Sequence, residues 1–258
     1  MNGCEQIQTG LGDGILTLRI NRPDKKNALN LSMYNDLAAG LARADRDDAV
    51  RVVLITGGDH CFTSGNDLED FLGAPPTGMD SPVIRFLLAL CEARKPIVAA
   101  VNGVAIGIGV TMLLHCDLAY AGMGATMQMP FVNLGLCPEA ASTLLLPRLM
   151  GHQRAAELLL LGEPFSADKA LSLGIVTAVC ADAEVQSLVL SKARQLADQP
   201  AAAVRLTKAL LKRDVAAELK ETILEEARQF MDRLKSPEAG EALQAFMQRR
   251  KPDFSQFS

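Results

Sequence analysis

Lys95 to Asp117, KPIVAAVNGVAIGIGVTMLLHCD, constrains this chain more than any other stretch. Ile97 to Val101 is a short apolar run closed by Asn102-Gly103, the pattern of a buried strand ending in a turn. Gly103, Gly107 and Gly109 follow within an apolar segment that reaches Leu114. Each glycine costs a helix start about 1 kcal/mol relative to alanine, so something other than helix stability keeps this backbone bare. A backbone without Cβ atoms can turn tightly and let another chain segment or a ligand approach. The unpaired N–H groups of a first helical turn would then stabilise a developing negative charge. Close helix–strand packing accounts for the same glycines, and pattern alone leaves both readings open.

Composition narrows the classes. The 258 residues suffice for one domain with a full core, or for a large domain with a small helical appendage. A chain 49% hydrophobic and 22% charged, with net charge -4, favours neither nucleic acid nor an anionic membrane surface. Without tryptophan, and with nine phenylalanines and two tyrosines, it is poor in base-stacking platforms. Cys4, Cys61, Cys91, Cys116, Cys137 and Cys180 are far apart and form no CxxC pair, which predicts buried free thiols in a reducing compartment. The three histidines, His60, His115 and His152, are not clustered, so no metal site is expected. Neither an export signal nor an apolar run long enough to span a membrane is visible.

Along the chain, a first strand is expected near Ile7 and a second over Gly14 to Ile20. Asn30 or Ser32 would cap a helix running to about Ala44. Val50 to Thr56 reads as a strand. Cys61 to Leu68 reads as a loop opening a short helix at Asp67, and Gly73 to Met79 as a mobile surface loop. Pro82 to Cys91 is predicted helical, Gly109 to His115 likewise, and Leu118 to Ala121 a short strand. This alternation argues for an α/β layered core. Ser166 should cap a helix over Ala167 to Leu171, with a strand over Gly174 to Val179. The core is expected over residues 1–181. From Asp182 the chain reads as almost wholly helical, with Leu219, Ile223, Ala227, Phe230 and Leu234 on one helix face, so residues 182–258 are expected to pack on the core or on a neighbouring subunit.

Two bare loops match by pattern: Ser64-Gly65-Asn66-Asp67 and Gly107-Ile108-Gly109 each precede a helix. Together with Arg22-Pro23, Asn27-Ala28-Leu29, Phe62 to Leu68, Lys95-Pro96 through Asn102-Gly103 to Cys116-Asp117, and Ala167 to Gly174, they closely resemble the crotonase superfamily of enoyl-CoA hydratases and isomerases. The similarity runs from about residue 12 to the C-terminus. It implies a spiral of ββα units with a helical C-terminal trimerisation region, assembled as a trimer or a dimer of trimers. It also implies an acyl-CoA thioester whose carbonyl oxygen is held by the backbone N–H groups of Asn66 and Ile108. Such fixed donors stabilise an enolate more than they stabilise the substrate.

By the same resemblance, the two water-activating glutamates of classical hydratases would fall at Thr111 and Phe131, and neither side chain can act as a carboxylate base. Glu139, in Leu134-Gly135-Leu136-Cys137-Pro138-Glu139-Ala140, matches the single base of the peroxisomal type of Δ3,Δ2-enoyl-CoA isomerase and its bacterial relatives. Read without that family context, Glu139 is an exposed acid at a helix N-terminus. The resemblance further places Lys25, Lys26, Ala28, Gly65, Asn66, Asp67, Leu68 and Lys251 along the CoA, whose phosphates reward basic charge. Leu68, Phe71, Met112, Phe131 and Leu136 are the candidate acyl pocket. Asp67 is expected to hold its loop, Asp117 to be structural, His60 to be exposed and His115 packed. Cys137 has no partner base for a covalent role. No cofactor is implied, because coenzyme A is part of the substrate. Phe257-Ser258 lacks the small-basic-leucine peroxisomal signal, and a cytoplasmic location is expected.

Overall fold

In the computed structural model, which describes residues 5–73 and 78–257, the chain opens with an antiparallel pair, β1 (Ile7–Gly12) and β2 (Ile15–Ile20). Helix α1 (Leu31–Arg46) follows, capped by the Asn30 side chain accepting from the Met33 N–H. Then come β3 (Val52–Thr56), β4 (Cys61–Thr63), α2 (Leu68–Gly73) and α3 (Pro82–Glu92). The glycine-rich stretch builds β5 (Ile97–Val101), β6 (Val104–Ile106) and α4 (Ile108–Thr111), and a tighter 3-10 turn over Met112–His115 completes the helix expected there. Next are β7 (Leu118–Gly122), β8 (Thr126–Gln128), α5 (Ser142–Met150), α6 (His152–Ala156), β9 (Phe165–Ser166), α7 (Ala167–Ser172) and β10 (Ala178–Cys180). Four longer helices end the chain: α8 (Val185–Ala197), α9 (Ala201–Lys212), α10 (Ala216–Arg233) and α11 (Pro237–Met247).

The strands form two sheets. The larger has the order β1-β2-β3-β5-β7-β10 and is parallel from β2 onward; the smaller has the order β4-β6-β8-β9. The chain visits the large sheet, then the small one, then a helix, as in β3–β4–α2 and β5–β6–α4. This is the ββα spiral of the crotonase fold. Parallel strands covered on both faces read as continuous apolar runs, and β3 and β5 are buried at every residue. Side chains alternate between the two faces. Val52, Leu54, Val98 and Ala100 meet Val185, Val189 and Ala193 of α8, whereas Val53, Ile55, Ile97 and Ala99 enter the main core. Leu219, Ile223 and Phe230 of α10 join that main core.

The small sheet escaped the sequence reading: Cys61 to Thr63, assigned to a loop, is a strand. The strand expected over Gly174 to Val179 starts later, at Ala178. Gly174 and Ile175 are committed to closing α7, their N–H groups bonding the carbonyls of Leu171 and Ala170. Most of the loop expected over Gly73 to Met79 lies outside the described residues, as do Cys4 and the side chain of Phe71. Cys61, Cys91, Cys116, Cys137 and Cys180 are free and half-buried. Among the described residues no helix is long and apolar enough to cross a membrane.

Asp117 is structural: its Oδ2 accepts from the Ile97 N–H and from the buried Lys208 Nζ, both at 2.7 Å, tying α9 to β5. Gly103 sits where the chain leaves the large sheet for the small one. Its φ is +65°, and a Cβ there would lie 1.9 Å from the His60 carbonyl oxygen. Gly103→Ala should therefore lower the unfolding free energy by about 3 kcal/mol or more in urea denaturation. Gly10→Ala, in β1 where a Cβ meets nothing within 4 Å, should change it by less than about 1 kcal/mol.

Candidate functional site

β4 and β6 pair in parallel, so the loops leaving their C-terminal ends run side by side. Gly65 has φ +92°, and a Cβ on it would come within 2.9 Å of the Ile106 carbonyl oxygen. A side chain there would force the two loops apart. The Thr63 hydroxyl donates to the Asn27 carbonyl at 2.7 Å and accepts from the Gly65 N–H at 3.1 Å. Residues 26–29 are stitched to the same loop. The Leu29 N–H bonds the Gly65 carbonyl and the Asp67 N–H bonds the Leu29 carbonyl, a single parallel bridge centred on Asn66. In such a bridge the flanking residues carry the bonds, which leaves the Asn66 N–H turned away from them.

Across the gap, Gly107 (φ +56°) turns the chain into α4, whose first residue is the fully buried Ile108. The Gly107 carbonyl accepts from the N–H groups of Val110 and Thr111, while Ile108 lies too early in the helix to have an intrahelical partner. Gly107 makes the tight turn, and Gly109 packs directly on Thr63, as the close-packing reading requires. Two bare amides thus end adjacent loops of one small sheet.

The predicted CoA strip also comes together. Lys25, Lys26 and Ala28 lie along Gly65, Asn66, Asp67 and Leu68, joined by Ser64 N–H to Lys26 carbonyl and Leu29 N–H to Gly65 carbonyl bonds. Arg22 donates to Asp67 at 2.6 Å and to the Ala28 carbonyl at 3.1 Å. Burial raises the Asp67 carboxyl, but hydrogen bonds from Arg22 and the Glu69 N–H outweigh that and hold it below the usual range. Asp67 thus anchors its loop. Lys25 pairs with Glu69 at the surface, where such pairs are weak. Lys251 is exposed beyond α11 and makes no ion pair among the described residues.

Glu139 lies in the segment between β8 and α5, 4% exposed, so the exposed-acid alternative does not hold. Its carboxyl is pushed up to about 8, by burial first and by the Glu226 charge second. One of its oxygens, Oε1, has no hydrogen-bond partner. It borders a cavity of about 20 Å³ between α3 and α10, otherwise lined by Val83, Ile84, Leu87, Ala227, Phe230 and Met231. The fully buried Tyr34 hydroxyl donates to the Asn66 side-chain carbonyl, and its own proton is held well above the usual range by burial and then by Glu139. Tyr34 therefore ties α1 to the Asn66 loop and feels the charge of Glu139.

The turn after Glu139 is held on several sides. Ala140 and Ala141 both adopt left-handed conformations, φ +62° and +53°. Burial brings His115 down to about 4, so its ring is neutral and Nε2–H donates to the Ala140 carbonyl at 2.7 Å. The Ser142 hydroxyl donates to the Glu139 carbonyl at 2.7 Å. Glu226 of α10, 7% exposed, accepts from the Ala141 N–H, the Thr143 N–H and the Thr143 hydroxyl. Sequence reading missed Tyr34 and Glu226. For Tyr34, lying 32 residues before Asn66, no local signal exists; Glu226 was visible only as an acid on a helix flank between inward-facing Ile223 and Ala227.

Met112, Phe131 and Leu136 are buried in the main core and Leu68 packs against it. They do not line the cavity beside Glu139. A larger depression of about 670 Å³ between α3 and α9, with Arg94, Arg205, Lys212 and Lys220 on its walls, contains none of the predicted site residues.

A family model described as enoyl-CoA hydratase/isomerase matches residues 10–257. Human enoyl-CoA delta isomerase 2 is 34% identical over 255 residues, 96% of this chain. The chain spans under two thirds of the human and rat enoyl-CoA delta isomerase 2 proteins, 64% and 62% of their lengths. The 1,2-epoxyphenylacetyl-CoA isomerase of Escherichia coli K12 is 36% identical, covering 97% of this chain and 98% of that protein. Among solved structures, OdaA of Pseudomonas aeruginosa superposes with a TM-score of 0.93 at 53% identity, covering 95% of this chain and 99% of that one.

The Glu139 environment makes a prediction independent of any activity. The folded chain holds a proton on Glu139 that the unfolded chain releases near pH 4.5, so stability is fully present below that pH and is lost as pH rises through about 8. Glu139→Gln removes that dependence. Urea denaturation at pH 8 should find the variant more stable than wild type by on the order of 4 kcal/mol. The difference should close below about pH 4.5.

Proposed function

The chain belongs to the enoyl-CoA hydratase/isomerase family, and on that premise we propose that it moves the double bond of a 3-enoyl-CoA to the trans-2 position, with Glu139 as the single base. The observation that carries this reading is a lone carboxyl, buried and unpartnered at Oε1, with no acid at the two positions where hydratases of this family carry theirs. Those positions hold Thr111 and Phe131, both buried. Glu226, the other buried acid nearby, has both oxygens occupied by donors of the Ala141–Thr143 turn.

The steps follow from the groups present. The Glu139 carboxylate takes a proton from C2, and the electron pair of that C–H bond delocalises through C1 onto the thioester oxygen. The Asn66 and Ile108 amides receive that charge, an interaction stronger in the dienolate than in the substrate. The resulting carboxylic acid returns its proton to C4, leaving the conjugated C2=C3 bond, and the atoms balance with no co-reactant. C2 and C4 are separated by roughly 2–3 Å, within reach of one carboxyl whose position is held.

In this reading the CoA runs along Lys25, Lys26, Ala28 and Gly65 to Leu68. Lys251 adds charge from the same or a neighbouring subunit, and Leu68, Met112, Phe131 and Leu136 surround the acyl group. Residues 182–258 serve trimer or hexamer assembly, and the enzyme works in the cytoplasm. A second reading has one observation behind it: the E. coli relative of nearly full mutual coverage is named for epoxyphenylacetyl-CoA isomerisation. The same base and amides could serve that substrate.

Turnover of a trans-3-enoyl-CoA, followed by the absorbance of the conjugated product, tests the proposal beside a 2-enoyl-CoA and the epoxide. Wild type should act on the 3-enoyl thioester in preference to the other two. Glu139→Gln should lose about a thousandfold or more in kcat. In wild type, kcat/KM should rise with pH and level off above about 8 as the free base forms. Near-wild-type turnover by Glu139→Gln would overturn the mechanism.

A further inference from the structure

The base does not stand alone. Glu226 lies 87 residues further along the chain, on a helix that belongs to neither sheet, yet its carboxylate bonds the turn that carries Glu139. Its Oε2 accepts from the Ala141 N–H at 2.6 Å, and its Oε1 from the Thr143 N–H at 3.1 Å and the Thr143 hydroxyl at 2.5 Å. Three donors converge on one buried carboxyl and it donates to none, which is the hydrogen-bonding pattern of an ionised group. Burial pushes the Glu226 carboxyl up to about 7, with the hydrogen bonds from Thr143 and Ala141 opposing it, whereas Glu139, with Oε1 unpartnered, is pushed further, to about 8, so Glu139 is the acid of the two that keeps its proton longer. Ala140 and Ala141, both left-handed, cost of order 1–2 kcal/mol each and persist only where the surroundings over-determine them. Glu226 supplies that constraint from α10, and His115 supplies it from the other side.

We propose that Glu226 is a positioning residue for Glu139: its carboxylate grips the turn after the base, aims the base, and keeps a negative charge beside it. This rests on the reading of Glu139 as the base. The other groups around Glu226 do not neutralise it. Glu221 and Glu225 on its own helix are acidic, Cys137 from the preceding loop is a thiol held up at about 11, and His115 is uncharged. Arg233, further along α10, bonds the Gly135 carbonyl and Glu238 instead.

Two substitutions separate grip from charge. Glu226→Gln keeps the length but loses the charge, and its amide nitrogen must face a backbone N–H. Glu226→Asp keeps the charge but withdraws it by one methylene. Carbon-13 NMR of glutamate carboxyls, with the Glu139 signal assigned by its loss in Glu139→Gln, reads the midpoint of Glu139 without any substrate. That midpoint should fall by about one pH unit or more in Glu226→Gln, because a like charge has gone, and should hold close to wild type in Glu226→Asp. In turnover of the 3-enoyl-CoA, both variants should lose about 10- to 100-fold in kcat with KM within about threefold, and only Glu226→Gln should move the acidic limb of kcat/KM downward. An unmoved midpoint in Glu226→Gln, or wild-type kcat in Glu226→Asp, overturns the proposal. If Glu226→Gln fails to fold, the Asp variant alone decides. Absence of turnover in wild type would defeat the isomerase reading, whereas the carboxyl titration would still test the coupling of the two acids.

Discussion

The pairing of two three-residue strands, β4 with β6, is the contact on which the site depends. It has only two Cα pairs, Cys61 with Val104 and Thr63 with Ala105, and the register shifts between them. On its own it would contribute little. It holds because Asn27, 3% exposed, donates to the carbonyls of Cys61 and Phe62 while accepting from the Arg22 N–H. One asparagine side chain thus ties the segment before α1 to the strand that delivers Asn66. The large sheet fixes where β5 ends and Gly103 carries the chain across to β6, so the loops that hold Asn66 and Ile108 leave neighbouring strands.

The opposite wall has a different construction. Glu139 reaches its position through a left-handed pair of alanines and sits without a partner for one oxygen, both features that a stability-driven fold would avoid. The compensation is drawn from separate parts of the chain: a neutral His115 from the turn after α4, Ser142 from the start of α5, and Glu226 from α10. Helix α10 also contributes Leu219, Ile223 and Phe230 to the main core, so the element that grips the turn is itself held firmly. Strain accepted at one carboxyl and offset by neighbours is what the proposed proton transfer at Glu139 requires, and packing alone does not call for it.

Legibility in the sequence followed length and locality. β3 and β5 were readable because four and five consecutive apolar residues flanked by turn signals have few other uses, and the α1 cap because Asn30 lies three residues before its donor. Thr126 to Gln128 and Val104 to Ile106 are too short to show a period of two, so the small sheet left no trace in the pattern. Glu139 and the amides of Asn66 and Ile108 were marked only through family resemblance. The residues themselves allowed an exposed acid and ordinary packing. The ties of Tyr34 to Asn66 and of Glu226 to Ala141 span 32 and 85 residues, and no single-sequence signal reports contacts at that range.

The same geometry argues against water as the nucleophile at this acid. A bound water needs two to four polar partners to be held and aimed. Thr111 turns its hydroxyl back toward the Gly107 carbonyl at 3.4 Å, and Phe131 offers a ring. Apart from Glu139, the side chains around the cavity of about 20 Å³ are all apolar, so a water there would have the carboxyl and no second side chain to fix it. An acyl chain has the opposite requirement: it gains from apolar walls and needs only one group able to accept and return a proton. On the proposed reading of Glu139 as the base, its surroundings suit migration of a double bond, in which nothing but hydrogen moves, better than addition of water.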